Sequence, residues 1–281
     1  MTTYFKHIAI LLIIILTSCT DVIDVDVPVA PPRLVIEASL DWEKSGFGNE
    51  QVVKLSQSTA FFDTNTLSPV TGAFVKVTND TSNVEFIFED QNDGTYAILT
   101  FVPILDQSYT LEVNYNGETY IAQETLTSVP DINSIYQSTT DGFDDEVLEV
   151  NVLFDDPADI ENFYLFRFQE RGDLLPELLD IPDEFTDGNE MRVFYEKEED
   201  TDINQKEFET GDIVDINFYG ISERYFNYIR LLIEQYGSSG DPFSSAPVPL
   251  RGNCTNPTNP DNYAFGYFRL TQVVEASYTF L

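Results

Sequence analysis

Side chains that could act as nucleophiles, proton carriers or metal ligands are few in this chain, except for carboxylates. The 281 residues contain one histidine, His7, and two cysteines, Cys19 and Cys254, against 49 aspartates and glutamates. Because His7 lies in the leader described below, the mature chain has no imidazole, which excludes Ser-His-Asp and Cys-His systems and the common zinc sites. No carboxylate pair is distinguished by its position, and no glycine-rich phosphate loop is present. We therefore predict no catalytic residue, no cofactor and no metal site.

Cys19 ends the stretch of sequence with the most defined chemistry. Lys6 and His7 precede an unbroken apolar run of nine residues, Ile8 to Leu16, which is followed by Thr17-Ser18-Cys19. A helix that crosses a bilayer needs roughly 20 apolar residues, so this run suits the core of a secretory signal peptide instead. The ending resembles a bacterial lipobox, which implies cleavage after residue 18 and acylation of Cys19. A plain secretory signal with an incidental cysteine is the alternative.

The charge of the chain limits its partners. A formal charge of −35 would repel the phosphate backbone of nucleic acid and disfavours binding to anionic lipid headgroups. A membrane anchor must then consist of acyl chains, and more than one chain makes such anchoring stable. With Cys19 used for lipid, Cys254 has no partner for an internal disulfide.

Residues 33–129 have the pattern of short β-strands. We expect strands at residues 33–40, 52–55, 73–78, 84–88, 95–99, 109–113 and 119–122, with turn residues between them. Asn116-Gly117 lies between two alternating runs and predicts a tight hairpin, because both turn residues must adopt positive φ. Seven short strands in this length predict an immunoglobulin-like β-sandwich. Residues 19–32, rich in aspartate and proline, are interpreted as a lipidated tether.

Residues 130–281 predict a second β-sandwich-like domain with one helix, so the chain is expected to be all-β with this single helical addition. Strands are expected at residues 147–152, 162–169 and 212–219, with a closing strand from 264 through 274. The aromatic run at 162–169 predicts a strand buried on much of both faces. A helix is predicted over residues 222–236, capped by Ser222 and ended by Gly237, with an apolar face of Tyr225, Ile229, Leu232 and Tyr236.

Two segments of this second domain are candidates for contacts. Residues 180–212 are strongly acidic and are interpreted as a solvated insert or hairpin, with a divalent-cation or partner site as the alternative. Residues 237–264 contain five prolines and no periodicity, which is typical of functional or draped loops. The residues that we expect to form a contact loop there are Asp241, Pro242, Phe243, Arg251, Asn253 and Tyr263.

The order of several short motifs resembles that of a known family. The motifs are Cys19 with its lipobox, Ile23 to Asp26, Arg33-Leu34-Val35-Ile36-Glu37, Pro69-Val70-Thr71-Gly72-Ala73, Asp155 to Tyr164, Pro242-Phe243-Ser244 and Gly266-Tyr267-Phe268. Together they are similar to the Bacteroidota lipoproteins grouped as domain of unknown function 4249. Members are often encoded beside TonB-dependent outer-membrane receptors, which implies an accessory role at the outer membrane. The family has no established catalytic residues, so only the lipid anchor carries over, onto Cys19.

These observations lead to one functional prediction with two alternatives. We expect a non-enzymatic lipoprotein, anchored to the outer membrane through Cys19, that binds a TonB-dependent receptor or a nutrient ligand through its loops. Whether it faces the periplasm or the cell surface is left open. The first alternative is a carboxylate-based glycan hydrolase, which would need two carboxylates facing each other across a cleft at roughly 5–10 Å. The second is a structural or adhesive surface protein.

Overall fold

The computed structural model describes residues 30–46, 48–60, 68–184, 187–197, 199, 205–237 and 250–281. Residues 32–59 and 65–281 form one compact unit, which holds the strands and the helix given below. The predicted signal peptide, Cys19 and all but residues 30–32 of the predicted tether lie outside the described residues.

The first sandwich contains seven strands in which buried and exposed side chains alternate. They are β1 (Leu34–Glu43), β2 (Gln51–Gln57), β3 (Phe74–Asn79), β4 (Glu85–Asp90), β5 (Thr95–Ile98), β6 (Ser108–Tyr115) and β7 (Glu118–Thr125). One layer has the strand order β1-β2-β5 and the other β4-β3-β6-β7. Glu89 and Asp90 of β4 also pair with Ala97 and Tyr96 of β5, so the hydrogen bonding continues from one layer into the other. All seven strands contribute side chains to one buried cluster, so the two sheets pack face to face. The predicted strands and the predicted sandwich are confirmed here.

The turn between β6 and β7 has the predicted conformation. Asn116 and Gly117 both adopt positive φ, at 51° and 79°, and Tyr115 pairs with Glu118 across the turn. These angles match a two-residue hairpin turn whose twist suits the flanking strands.

The second sandwich repeats the strand order of the first. Its strands are β8 (Ile132–Ser138), β9 (Glu149–Asp155), β10 (Phe163–Glu170), β11 (Glu177–Pro182), β12 (Glu190–Glu196), β13 (Ile213–Ile221) and β14 (Phe265–Thr279). One sheet has the order β12-β9-β8, and the other contains β11-β10-β13-β14. If the strands of each sandwich are numbered 1 to 7 along the chain, strands 1, 2 and 5 form one layer in both. Strands 3, 4, 6 and 7 form the layer that faces it. A second buried cluster, rich in phenylalanine, fills the space between these sheets.

Part of the acidic stretch 180–212 belongs to this core, so its interpretation as a solvated insert is wrong for β12 and the end of β11. Met191 and Val193 are buried, and β12 pairs with β9 along its whole length. The sequence conceals this strand because charged residues such as Glu190 and Arg192 occupy the outward positions between the buried ones.

One helix, α1 (Glu223–Gly237), packs on the outer face of the second sandwich. Ser222 caps it, since its Oγ accepts a hydrogen bond from the backbone N–H of Tyr225 at 3.2 Å. Tyr225, Phe226 and Ile229 are buried against side chains of β10, β13 and β14. Consequently β10 carries buried residues on both faces, as its aromatic sequence predicts. No helix among the described residues is long and apolar enough to cross a bilayer.

The second half of α1 differs from the prediction. Leu232 and Tyr236, which we expected on the buried face, are 40% and 70% exposed. With Leu175 and Leu178 they line an apolar surface groove of about 290 Å³ instead. The last turns of α1 therefore lie beside β11 and the residues just before it, with a groove between them.

Strand β14 joins the two sandwiches. Its first part, Phe265 to Val273, pairs in parallel with β1, and its second part pairs antiparallel with β13 up to Thr279. Cys254, Ala264, Phe268 and Leu270 belong to the first core. Residues near the C-terminus thus complete the first core, although the boundary predicted between residues 129 and 130 assigns them to the second domain. A parallel pairing between segments this far apart has no local sequence signal.

An ion pair between buried Arg269 and partly exposed Asp41 lies where β1 meets β14. Arg269 Nη2 donates hydrogen bonds to Asp41 Oδ1 and Oδ2 at 2.6 and 2.7 Å, and the guanidinium lies over the ring of Tyr219. Burial acts to lower the pKa of Arg269, but the neighbouring Asp41 carboxylate outweighs this and the pKa is raised. Arg269 therefore remains charged, and the ion pair links β1 to β14.

Candidate functional site

The candidate site is the segment of residues 250–264, called the 250–264 segment below, which precedes β14. It is the described part of the predicted loop 237–264; Asp241, Pro242 and Phe243 lie outside the described residues. Thr255 and Ile121 exchange two backbone hydrogen bonds of 2.8 Å, so the segment is attached to β7 of the first sandwich. Gly252 allows close packing at its base, because a Cβ there would lie 1.4 Å from the carbonyl oxygen of Gly266.

Glu118, the first residue of β7, holds the outer half of the segment. Its carboxylate accepts hydrogen bonds from the side-chain amides of Asn256, Asn259 and Asn262 at 3.3, 2.8 and 2.6 Å. The hydroxyl of Tyr120 donates another at 2.7 Å. This last hydrogen bond is the main cause that lowers the pKa of Glu118, and the amides add to it. Four donors on one carboxylate give this Asn- and Pro-rich segment a defined conformation.

Glu124, further along β7, holds the inner half of the segment. Glu124 Oε1 accepts hydrogen bonds from Tyr267 Oη at 2.9 Å and from Asn253 Nδ2 at 3.2 Å. Asn253 also exchanges hydrogen bonds with the backbone of Phe268. Burial raises the pKa of Glu124, since only 6% of the residue is exposed. Asn253, predicted as a contact residue, is thus placed as a structural anchor.

Two other predicted contact residues, Arg251 and Tyr263, lie together. The guanidinium carbon of Arg251 is 4.1 Å from the centre of the Tyr263 ring. Arg33, at the start of β1, contacts the same ring at 3.9 Å, and its Nη1 donates to the carbonyl oxygens of Asp261 and Tyr263. Cation–π contacts of this kind hold guanidinium groups in place without neutralising them. Arg33 was not predicted as a contact residue, because it lies 230 residues from Tyr263 in the chain.

Two cavities flank the segment. One of about 340 Å³ is lined by Arg251, Tyr263 and Cys254 among others. The other, of about 330 Å³, is lined by residues that include Arg224, Tyr228 and Arg251. We call the surface formed by Arg33, Arg224, Arg251 and Tyr263 the arginine–tyrosine surface. None of the described residues that line either cavity is acidic, so these residues do not form the carboxylate pair that a glycoside hydrolase would need.

Cys254 is buried at the wall of the first cavity and is a free thiol. Burial raises its pKa to about 12. Because the thiolate is the reactive form, this cysteine is not an activated nucleophile near neutral pH. Its side chain packs in the first core instead.

A cluster of three aspartates lies elsewhere, in the second sandwich. One carboxylate oxygen from each of Asp156, Asp183 and Asp187 lies within 4.8 Å of the others. Asp156 accepts hydrogen bonds from Tyr164 Oη at 2.5 Å and from the backbone of Gly188 at 3.1 Å. Asp183 and Asp187 accept backbone N–H groups from the 159–162 turn, each at 2.9 Å. These hydrogen bonds join neighbouring loops, so the aspartate cluster has a structural explanation. Carboxylates at this spacing could also hold a cation.

The family resemblance is confirmed by comparison with family models. Residues 20–277 match the model of a family described as a domain of unknown function (DUF4249). The match covers nearly all of the chain, and the protein therefore belongs to this family. A search of curated proteins found no match.

Among solved structures, the chain is similar to fibronectin type-III fragments. The FN1–FN3 domains of chicken CNTN1 match at 10% identity and a TM-score of 0.25, over 68% of this chain and 62% of that one. A two-domain fibronectin type-III segment of chicken tenascin matches at 14% identity and a TM-score of 0.22, over 67% and 90%. The assignment of two sandwiches here is based on the strand orders described above.

Proposed function

We propose that this protein is a lipid-anchored, non-enzymatic binding protein of the outer membrane that acts as an accessory partner of a TonB-dependent receptor. Cys19 would carry the acyl chains, and the arginine–tyrosine surface would contact the receptor. Membership of the DUF4249 family supports this role, because the resemblance implies an association with such receptors.

The observation that carries the proposal is the stack of Arg33 and Arg251 on Tyr263. Arginine and tyrosine are enriched among the residues that contribute most to binding at protein interfaces. Three of the 14 basic residues of a chain with charge −35 lie at this surface, namely Arg33, Arg224 and Arg251. Since planar guanidinium groups bind carboxylates with two hydrogen bonds, the proposed contact on the receptor is an acidic loop.

The anchoring of the 250–264 segment also supports a binding role. Glu118 and Glu124 hold it at two points on β7, and Thr255 pairs with the same strand. A surface that is ordered before binding loses less conformational entropy when the complex forms. A segment that merely covered a core would not need an exposed arginine such as Arg251.

The experiment is a mild-detergent affinity purification from outer membranes, with a tag at the exposed C-terminus. We expect a TonB-dependent receptor in stoichiometric amount with the wild type, and at least about tenfold less with Arg251→Ala/Tyr263→Ala, which corresponds to about 1.4 kcal/mol. Arg171→Ala is the matched control, because Arg171 is an exposed arginine whose ion pair with Asp215 lies on the second sandwich. Equal circular dichroism spectra and melting temperatures show that the variants are folded.

Several outcomes would refute parts of the proposal. Equal receptor recovery with the double variant and with Arg171→Ala would remove the arginine–tyrosine surface from the interaction. Recovery of the lipoprotein alone would favour the alternatives, a glycan hydrolase or a structural adhesin. If Cys19→Ala left the protein in the membrane fraction, the lipid anchor would be wrong.

A further inference from the structure

Two glutamates lie side by side on the outer face of the second sandwich. Glu149 of β9 and Glu196 of β12 are directly paired in the register of these antiparallel strands. Val150 and Val152 point into the core, so the alternating positions of β9, including Glu149, point away from it. Directly opposed residues have Cβ atoms about 4.5–5.5 Å apart, which places both carboxyl groups of this glutamate pair at one spot.

Residues 139–146, called the covering loop, fold over the glutamate pair. The backbone N–H of Asp141 donates to Glu149 Oε1 at 3.0 Å, and that of Phe143 donates to Glu196 Oε2 at 2.7 Å. Gly142 lies against both groups: a Cβ there would be 2.0 Å from Glu196 Oε2 and 3.5 Å from the carboxyl carbon of Glu149. A side chain at this position would force the Glu196 carboxylate to move.

The second oxygen of each carboxylate is buried without a hydrogen-bond donor among the described residues. These atoms are Glu149 Oε2 and Glu196 Oε1, and Glu149 is fully buried. The nearby cation, Arg192, uses Nη1 for the carbonyl oxygen of Asp141 and for Asn151 Oδ1, each at 2.6 Å. A buried carboxylate oxygen with neither a donor nor a cation beside it is unfavourable, and a cation bound between these two orphaned oxygens would offset that cost.

We propose that the glutamate pair binds a calcium ion under the covering loop. The orphaned oxygens of Glu149 and Glu196 would be its protein ligands from the sheet. Further oxygens would come from the covering loop, whose sequence Asp141 to Glu146 contains four acids, and from water. Among the described residues, no third carboxylate already lies within 4.8 Å of both glutamates. Ca²⁺ takes six to eight oxygen ligands in flexible geometry, whereas zinc sites use nitrogen and sulfur. Mg²⁺ demands a more regular octahedron and retains its waters, so it should bind more weakly.

The test uses the full chain in detergent after treatment with EDTA. Saturating Ca²⁺ should raise the melting temperature by roughly 5 °C or more, and equal Mg²⁺ should raise it less. Glu149→Gln and Glu196→Gln should each abolish most of this shift, and calorimetric titration should lose the corresponding binding step. Asp187→Asn, which alters the aspartate cluster, is the matched control and should retain the shift.

Two results would overturn the proposal. In one, Ca²⁺ leaves the wild type unchanged while Glu149→Gln raises the melting temperature in metal-free buffer; a shared proton would then neutralise the pair. In the other, Asp187→Asn loses the calcium shift while Glu149→Gln keeps it; the ion would then occupy the aspartate cluster. If Glu149→Gln does not fold, Glu196→Gln decides, because Glu196 is only partly buried.

Discussion

The two sandwiches share a strand order but differ in the connection between their sixth and seventh strands. In the first, Asn116-Gly117 alone joins β6 to β7. In the second, residues 222–264 stand between β13 and β14 and include α1 and the 250–264 segment. The arginine–tyrosine surface therefore lies largely on this one enlarged connection. The strands of the sandwiches therefore act as a scaffold, and the residues added between β13 and β14 carry most of the candidate binding surface.

The same addition changes how the strands are buried. In the first sandwich, strands such as β1 bury mainly one face. In the second, β10 and β13 bury both, since the phenylalanine-rich core lies on one side and α1 on the other. This makes the second sandwich more sensitive to substitution, and β14 should transmit the effect to the first.

The largest expected effect comes from Phe166→Ala in the second core. Phe166 is fully buried and stacks on Phe218 with ring centres 4.3 Å apart, so we expect a loss of about 3–5 kcal/mol in the free energy of unfolding. Urea unfolding followed by the fluorescence of Trp42 is the measurement. Trp42 is the single tryptophan and lies in β1 of the first sandwich, paired with β14.

If the sandwiches unfold as one unit through β14, the Trp42 transition will shift together with the far-UV circular dichroism. A Trp42 transition that stays at the wild-type urea concentration would show independent folding. Leu174→Ala, at a side chain that is 92% exposed, is the control and should change stability by less than about 0.5 kcal/mol.

The ion pair of Asp41 and Arg269, where β1 meets β14, should show the next largest effect on stability. Asp41→Asn removes the counter-charge of buried Arg269. Breaking a fully buried pair typically costs about 3–5 kcal/mol; because Asp41 is 32% exposed, we expect about 2–3 kcal/mol. Asp215→Asn breaks the exposed pair with Arg171 and should cost much less, because solvent screens the pair. Equal losses of stability in Asp41→Asn and Asp215→Asn would show that the Asp41–Arg269 pair contributes no more than the exposed pair.

The smallest expected effect concerns Glu118 and Glu124, two residues of β7 that hold the 250–264 segment. Their pKa values are shifted in opposite directions. The pKa of Glu124 is raised by burial, so the stability that it contributes is present below pH 4.5 and is lost as the pH rises through its raised pKa. The pKa of Glu118 is lowered, chiefly by Tyr120, so its contribution is present above pH 4.5 and is lost as the pH falls through its lowered pKa.

Unfolding of the wild type, Glu118→Gln and Glu124→Gln from about pH 3 to about pH 7 measures this difference. Relative to the wild type, Glu124→Gln should gain stability with rising pH, and Glu118→Gln should lose it. Parallel pH profiles for the two variants would contradict the opposed pKa shifts.

Local patterns in the sequence were sufficient for much of this architecture. Alternation predicted the strands of the first sandwich, Asn116-Gly117 its hairpin, and Ser222 the start of α1, because each depends on residues within one turn or one strand. The order of short motifs was sufficient for the family. Of the predicted contact residues, Arg251 and Tyr263 do meet at one surface.

Only the tertiary structure decided the features that depend on distant pairing. The parallel pairing of β1 with β14, the contact of Arg33 with Tyr263 and the Glu149–Glu196 pair join residues far apart in sequence. Strand β12 was not predicted from the sequence, because its outward positions are charged and its core contacts lie on β9 and β10. Register and burial across the whole fold determine which strands pair. The residues adjacent to a strand in the sequence specify neither of them.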